Sequence, residues 1–210
     1  MTVILLMPEQ AKKPSKTGRY HHGDLRESLV MAGRTLLEEK GWRGFTLREC
    51  ARRAEVSHAA PAHHFASLDD LLAEIAARGS VEMAAAMEKE AKRSGEAPAQ
   101  RLVGQCVGYM AFAAAHPMLF ELMFQRPPEK VGERRPAIFA EAVAAVIPGA
   151  DSEVKARMTD FAWATVHGFI VLVLEGRVGT GESSRGLKAR SLAVLAAMVE
   201  TVIRAGGVPD

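Results

Sequence analysis

From Leu25 onward, apolar residues recur at spacings of three and four. Leu25, Leu29, Ala32, Leu36 and Leu37 fall on one face of a helix, with Asp24 placed to cap it and Gly41 to stop it. Thr46-Leu47-Arg48-Glu49 has the spacing of a capping box and opens a second, short helix running to about Ala54. Ser57 is placed to cap a third short helix that ends near Phe65. Ser67-Leu68-Asp69-Asp70 caps a fourth, and Leu71, Leu72 and Ile75 carry its pattern on toward Arg93. Gly95 and Pro98 then interrupt the chain. Helical patterns resume over 99–115, 117–124, 136–147, 152–175 and 186–204. Pro117, Pro127-Pro128, Pro148-Gly149 and the stretch Gly176 to Gly181 separate them. No segment alternates as a half-buried strand does, and no internal repeat is present. The predicted fold class is all-α with about nine helices.

Composition narrows the class. At 48% hydrophobic and 25% charged residues the 210-residue chain is an ordinary globular protein, which excludes a disordered chain, a collagen-like repeat and a disulfide scaffold. The net charge of +2 is unevenly spread. Residues 1–66 hold eleven Lys+Arg against seven Asp+Glu, or +4, so the remainder carries −2. Five of the seven histidines also fall in 1–66, and a basic end points to a polyanion partner. Lys12, Lys13, Lys16 and Arg19 sit among Pro8, Pro14 and Gly18, as in a flexible basic arm able to reach DNA backbone or minor groove.

Other chemistries find little support. Cys50 and Cys106 have no metal-ligand or redox spacing and read as reduced thiols of a cytoplasmic protein. The apolar start, Met1 to Met7, lacks the basic region and cleavage site of a signal peptide. The longest apolar stretch, Phe161 to Leu174, is shorter than the roughly 20 residues a bilayer needs. No acid pair, Ser/His/Asp arrangement or Gly-rich phosphate loop is present. The expectation is a protein that is not an enzyme and needs no cofactor, metal or membrane.

Two short helices joined by a tight turn in a basic segment suggest a helix-turn-helix. The first helix would brace the second across the DNA backbone while the second enters the major groove. On the bracing helix Leu47, Cys50, Ala51 and Ala54 can face inward, leaving Arg48, Arg52 and Arg53 for solvent or phosphate. Thr46 and Arg48 stand at its start, where backbone N–H groups can also hold a phosphate. Ser57, His58, Ala59, Ala60 and His63 are the groove-side candidates, and Lys16 and Arg19 the arm candidates. His64 and Phe65 are assigned to packing the third helix on the first.

Four linked motifs carry a family resemblance. Tyr20-His-His-Gly-Asp-Leu25, Thr46-Leu-Arg-Glu-Cys-Ala-Arg-Arg-Ala54, Val56-Ser-His-Ala-Ala-Pro61 and His64-Phe65 before Ser67-Leu-Asp-Asp-Leu-Leu72 together resemble the DNA-binding domain of TetR-family transcriptional regulators. Tyr109 to Phe124 and Trp163-Ala-Thr-Val-His167-Gly168 resemble the C-terminal domain of the branch named for its Trp-His-Gly pattern. The resemblance implies a helix-turn-helix domain over 20–66 behind an arm over 1–19. A ligand-binding and dimerisation domain over 67–210 would follow. It also implies a homodimeric repressor that reads a palindromic operator and is released by a small apolar effector. The chain departs from the family pattern at Glu55, where glycine is common in the turn. It departs again at Ala62, His63 and Leu68, where residues that usually meet phosphate are replaced.

In the C-terminal part, Phe161 to Leu174 is apolar around nearly all its circumference and must be covered on more than one side. The last helix adds a stripe of Leu192, Leu195, Ala196, Val199 and Ile203. Pairing of these two helices with a second copy would cover both. Trp163 and His167, four apart, share a face. With the aromatic and Met-rich set Phe112, Met118, Phe120, Met123 and Phe124 they are the candidate ligand-binding residues, or alternatively core. Two other readings stay open: a helical small-molecule-binding protein that has lost specific DNA binding, and an all-α enzyme using a buried histidine.

Overall fold

The computed structural model describes residues 25–41, 44–124 and 137–207. Among these residues the chain is all-α, as the pattern predicts. Its α-helices are α1 (Leu25–Lys40), α2 (Leu47–Arg53), α3 (Leu68–Ser94), α4 (Pro98–Ala115), α5 (Pro117–Phe124), α6 (Ala137–Val146), α7 (Ser152–Leu174) and α8 (Ser184–Ala205). A 3-10 helix, Ala60–His63, lies between α2 and α3.

Local signals set most of the boundaries. Gly41 ends α1 with φ +60°, a left-handed conformation that glycine adopts without steric cost, and its N–H reaches Leu37 O at 2.8 Å. Side-chain oxygens of Thr46, Ser67, Asp151 and Ser183 each accept from the backbone N–H three residues on, satisfying an otherwise orphaned donor. The box at α2 closes only halfway. Glu49 N–H reaches Thr46 Oγ1 at 3.1 Å, but the Glu49 carboxylate turns to Lys40 (3.0 Å) and Arg52 (2.7 Å).

The described chain forms two compact units. One comprises 25–81 and 116–124. Its core joins Leu29, Leu36 and Leu37 of α1 to Phe45, Cys50, Ala51, Phe65, Leu71 and Ile75, all buried. This unit therefore takes in α5 and the first part of α3 as well as 25–66. The reason is packing that a linear division cannot see. A Cβ on Gly79 of α3 would lie 2.9 Å from Met123 Sδ and 3.0 Å from Leu119 Cδ1, so α5 rests where α3 has no side chain. Glu38 of α1 accepts from Leu119 N–H at 3.2 Å, satisfying one of the free amides at the start of α5.

The other unit comprises 82–115 and 137–207. Here α4, α6, α7 and α8 pack together around Leu102, Cys106, Tyr109, Phe139, Val143, Ala162, Val166, Ile170, Leu195 and Val202. The second half of α3 meets α4 along a seam of small residues. A Cβ on Gly108 would stand 2.6 Å from Ala86 O and 2.7 Å from Met87 Cα, closer than real contacts allow. At 23 residues, α7 has the length and hydropathy of a bilayer-crossing helix, more than the stretch 161–174 promises. One stripe of it (Ala162, Val166, Ile170, Val173) is nevertheless core, buried among the neighbouring helices.

Candidate nucleic-acid interface

Cys50, Ala51 and Ala54 anchor α2 in the core, as its periodicity predicts, while Leu47 is half-buried. Its outer side exposes Thr46, Arg48 and Arg52. The three arginines differ in availability. Arg52 is bonded to Glu49 at 2.7 Å and Arg53 to Glu39 at 2.6 Å. Arg48 has no ion-pair partner among the described residues. Those two guanidiniums hold Glu49 and Glu39 instead of projecting free, so Arg48 is the α2 cation best placed for a phosphate. Arg52 and then Lys40 hold the half-buried Glu49 carboxyl down at about 2. Burial pushes the Cys50 thiol up to about 11, which leaves it inert.

The turn after α2 is a Schellman motif. Val56 N–H bonds Ala51 O at 3.0 Å and Glu55 N–H bonds Arg52 O at 3.2 Å. The motif puts its left-handed residue at Glu55, φ +57°, where the family commonly has glycine. Glutamate thus takes the glycine conformation at this position.

The third element is not the α-helix expected over 57–65. It is a 3-10 turn flanked by irregular backbone. Pro61 is the cause. An α-helix capped at Ser57 would draw its first bond from residue 61 to Ser57 O, and proline has no N–H to give. The chain tightens instead: Ala60 N–H bonds Ser57 O, Ala62 N–H bonds Ala59 O and His64 N–H bonds Pro61 O, each three residues back. Ser57 supplies no side-chain cap, and the residue at the cap position is Ala59.

This geometry redistributes the side chains. Ser57, His58, Ala59, Ala62 and His63 are exposed. Ala60, expected on the groove side, is buried with Pro61. Phe65 packs inward beneath the Arg26 guanidinium of α1, 5.1 Å from the ring centroid, as assigned. His64, assigned to packing with it, is exposed instead. Sequence reasoning therefore missed His64 as a surface group. The signal was Pro61, which shifts the hydrogen-bond period from four to three and rotates the residues after it. Lys16 and Arg19 lie outside the described residues.

The seven ligand candidates are divided between the two units. Met118, Phe120, Met123 and Phe124 belong to α5 and the first unit, with Phe120 and Met123 buried. Phe112, Trp163 and His167 belong to the second. There Tyr109 of α4 ties the Trp-His-Gly pattern together. Its hydroxyl lies 2.7 Å from His167 Nδ1, and the Trp163 ring stands 5.7 Å from the His167 ring, centroid to centroid. Burial lowers the His167 pKa, favouring the neutral ring. Elsewhere in this unit the described residues leave space for a small molecule. A groove of about 530 Å³ is lined by Ser94, Ala99, Gln100, Val103, Ala196, Val199, Glu200 and Ile203, and by none of the seven.

Comparison with known proteins agrees with this architecture. Residues 29–75 match the family model described as bacterial regulatory proteins, tetR family. Residues 102–195 match that described as tetracyclin repressor-like, C-terminal domain. No curated protein sequence matches the chain. Among solved structures, a protein with unknown function from Rhodococcus sp. RHA1 is 28% identical, with TM-score 0.69 over 86% of this chain and 98% of that one. A TetR family transcription regulator from Marinobacter aquaeolei VT8 is 16% identical, with TM-score 0.60 over 82% and 94%. A TetR variant from Acinetobacter baumannii AYE, in complex with minocycline, is also 16% identical, with TM-score 0.54 over 86% and 90%. The match over α1, α2, the turn and the start of α3 identifies this region as a DNA-binding helix-turn-helix. Together the two models span about two thirds of the sequence, and the chain belongs to the TetR family of transcriptional regulators, which are not enzymes.

Proposed function

We propose that the chain is a homodimeric repressor that binds a palindromic operator and is released by a small, largely apolar effector. The observation that carries this reading is an uncovered apolar side on α7 and α8. Phe161, Leu172 and Leu192 are 38%, 40% and 43% exposed, a poor arrangement for a lone chain in water. A Cβ on Gly168 would meet nothing within 4 Å, leaving room for another helix to approach closely. A second copy brings the same side, and two-fold pairing gives the symmetry that a palindrome requires.

Thr46, Arg48, Ser57, His58, Ala59 and His63 are the DNA contacts in this reading, with Lys16 and Arg19 reaching from the arm. The effector occupies the groove between α3, α4 and α8. Its volume falls in the ordinary range for ligand pockets, and Ala99, Val103, Ala196, Val199 and Ile203 make it apolar. The minocycline complex of the Acinetobacter relative is consistent with an effector role for such a domain. Release follows if the effector favours a dimer whose two helix-turn-helix units stand at the wrong separation, with α3 contributing to both units. The protein acts in the cytoplasm, where its operator is.

The test is light scattering together with a DNA titration. The full chain should run at twice its 22.7 kDa mass and saturate a duplex from its own upstream intergenic DNA at two chains per site. Leu172→Arg should halve that mass and abolish tight binding. A monomer that binds the duplex tightly would refute the reading.

A further inference from the structure

The DNA-binding surface is poor in permanent charge and rich in conditional charge. Arg52 and Arg53 are held in ion pairs with Glu49 and Glu39. The segment that follows exposes His58, His63 and His64. Its 3-10 hydrogen bonding turns Ala60 and Pro61 inward and leaves all three imidazoles in solvent.

Charged groups on the elements around this segment are Arg48, Glu49, Arg52 and Arg53 of α2 and Glu55 of the turn. Arg26, Glu39 and Lys40 of α1 and Asp69, Asp70 and Glu74 in the first turns of α3 are the others. Glu49 is taken by Lys40 and Arg52, and Arg26 by Glu74. Among the described residues, no carboxylate stands within ion-pair distance of His58, His63 or His64, and no cluster of His, Cys, Asp or Glu could hold a metal ion. The imidazoles are therefore uncommitted groups on the face that meets a polyanion.

Histidine is the side chain whose charge ordinarily changes between about pH 5 and 8, while backbone phosphates stay anionic throughout. We propose that His58, His63 and His64 make DNA binding proton-dependent: as imidazolium ions they contact backbone phosphates, and affinity rises as the pH falls from about 8 to about 6. The sign follows from linkage. DNA favours the charged ring, so binding takes up protons. Proton uptake on binding makes affinity rise as the pH falls. Each exposed charge contact contributes roughly twofold, so three in each chain of a dimer compound to about sixty-fold. Each also releases counterions, so the salt dependence steepens on acidification by about 0.9 per contact. The proposal rests on the helix-turn-helix reading of this surface.

Fluorescence anisotropy of the full chain tests it, using the labelled upstream intergenic duplex and a scrambled duplex of equal composition. Titrations run at about pH 8 and about pH 6, each at several salt concentrations. The expected result is tens-fold tighter binding to both duplexes at the lower pH, with a steeper salt slope. The triple variant H58Q/H63Q/H64Q should lose most of both effects, the ratio of its affinities at the two pH values falling toward one whatever its affinity at pH 8. Circular dichroism and urea midpoints confirm that the variant folds, and the three single variants apportion the effect. Tight wild-type binding that is flat in pH would overturn the proposal, as would a triple variant that keeps the pH dependence. A pH effect with an unchanged salt slope would overturn the phosphate assignment. Failure to bind either duplex at any pH in low salt would overturn the helix-turn-helix reading as well, and so differs from failure of the proposal alone.

Discussion

Replacing Glu55 with glycine is expected to stabilise the protein, although it deletes a side chain. Glu55 is exposed and its φ is +57°, the left-handed position that ends the Schellman motif after α2. That conformation costs an L-residue roughly 1–2 kcal/mol through crowding of Cβ against the carbonyl oxygen. Glycine escapes the cost but loses about 0.4–1 kcal/mol more backbone entropy on folding. The balance favours glycine by about 0.5–1 kcal/mol, or a rise of about 2–3 °C in a chain of this size. Alanine removes the carboxylate but keeps Cβ, so Glu55→Ala separates backbone from charge. Urea unfolding at one fixed protein concentration measures all three proteins, which keeps any association constant between them. The predicted order of midpoints is Glu55→Gly above wild type, with Glu55→Ala close to wild type. A Glu55→Gly midpoint at or below that of Glu55→Ala would refute the argument.

Gly108→Ala should destabilise by about 1–3 kcal/mol despite alanine's better helix propensity, because its Cβ would meet the backbone at Ala86 and Met87; urea midpoints check this. Tyr109→Phe should cost about 1–3 kcal/mol by removing the hydroxyl that meets His167 Nδ1; the His167 titration, followed by nuclear magnetic resonance, should move with it. Glu49 and Glu74 are held near 2, each first by a hydrogen bond to an arginine, against an ordinary 4.5. Their contribution to stability is therefore present above about 4.5 and lost as the pH falls toward 2. A thermal-denaturation series on Glu74→Gln should show a smaller loss across that window than wild type.

Much of this fold could be read from local chemistry. Segment 117–124 was predicted to the residue because Pro117 and the break after Phe124 are local marks. The helix expected over 152–175 ends one residue early for the same reason. Caps at Thr46, Ser67 and Asp151 involve residues three apart and need no tertiary information. What escaped was the competition for Glu49. A capping-box glutamate has two possible duties, and Lys40, nine positions earlier, becomes its neighbour only when α1 and α2 pack. The same holds for α5. Its apolar surface was legible, but its place against Gly79 and Glu38 is a product of the fold.

The third element and the last helix differ in what sequence could tell about them. At 57–65 the information was present, because Pro61 forbids the first α-helical bond from a Ser57 cap. Counting donors along the segment would have exposed His64 and buried Ala60. At α8 the information was absent. Periodicity correctly grouped Leu192, Ala196, Val199 and Ile203 on neighbouring positions, but a period does not say who covers them. Ala196, Val199 and Ile203 line the groove with Ala99 and Val103, whereas Leu192 remains exposed. One stripe thus serves two surfaces in this chain, a division that only the placement of α3 and α4 decides. Substitution separates them. Leu192→Arg should weaken self-association and leave the groove intact, whereas Ala196→Trp should fill the groove. If both substitutions weaken self-association equally and neither changes occupancy of the groove by an apolar fluorescent probe, the stripe is one surface and the division is wrong.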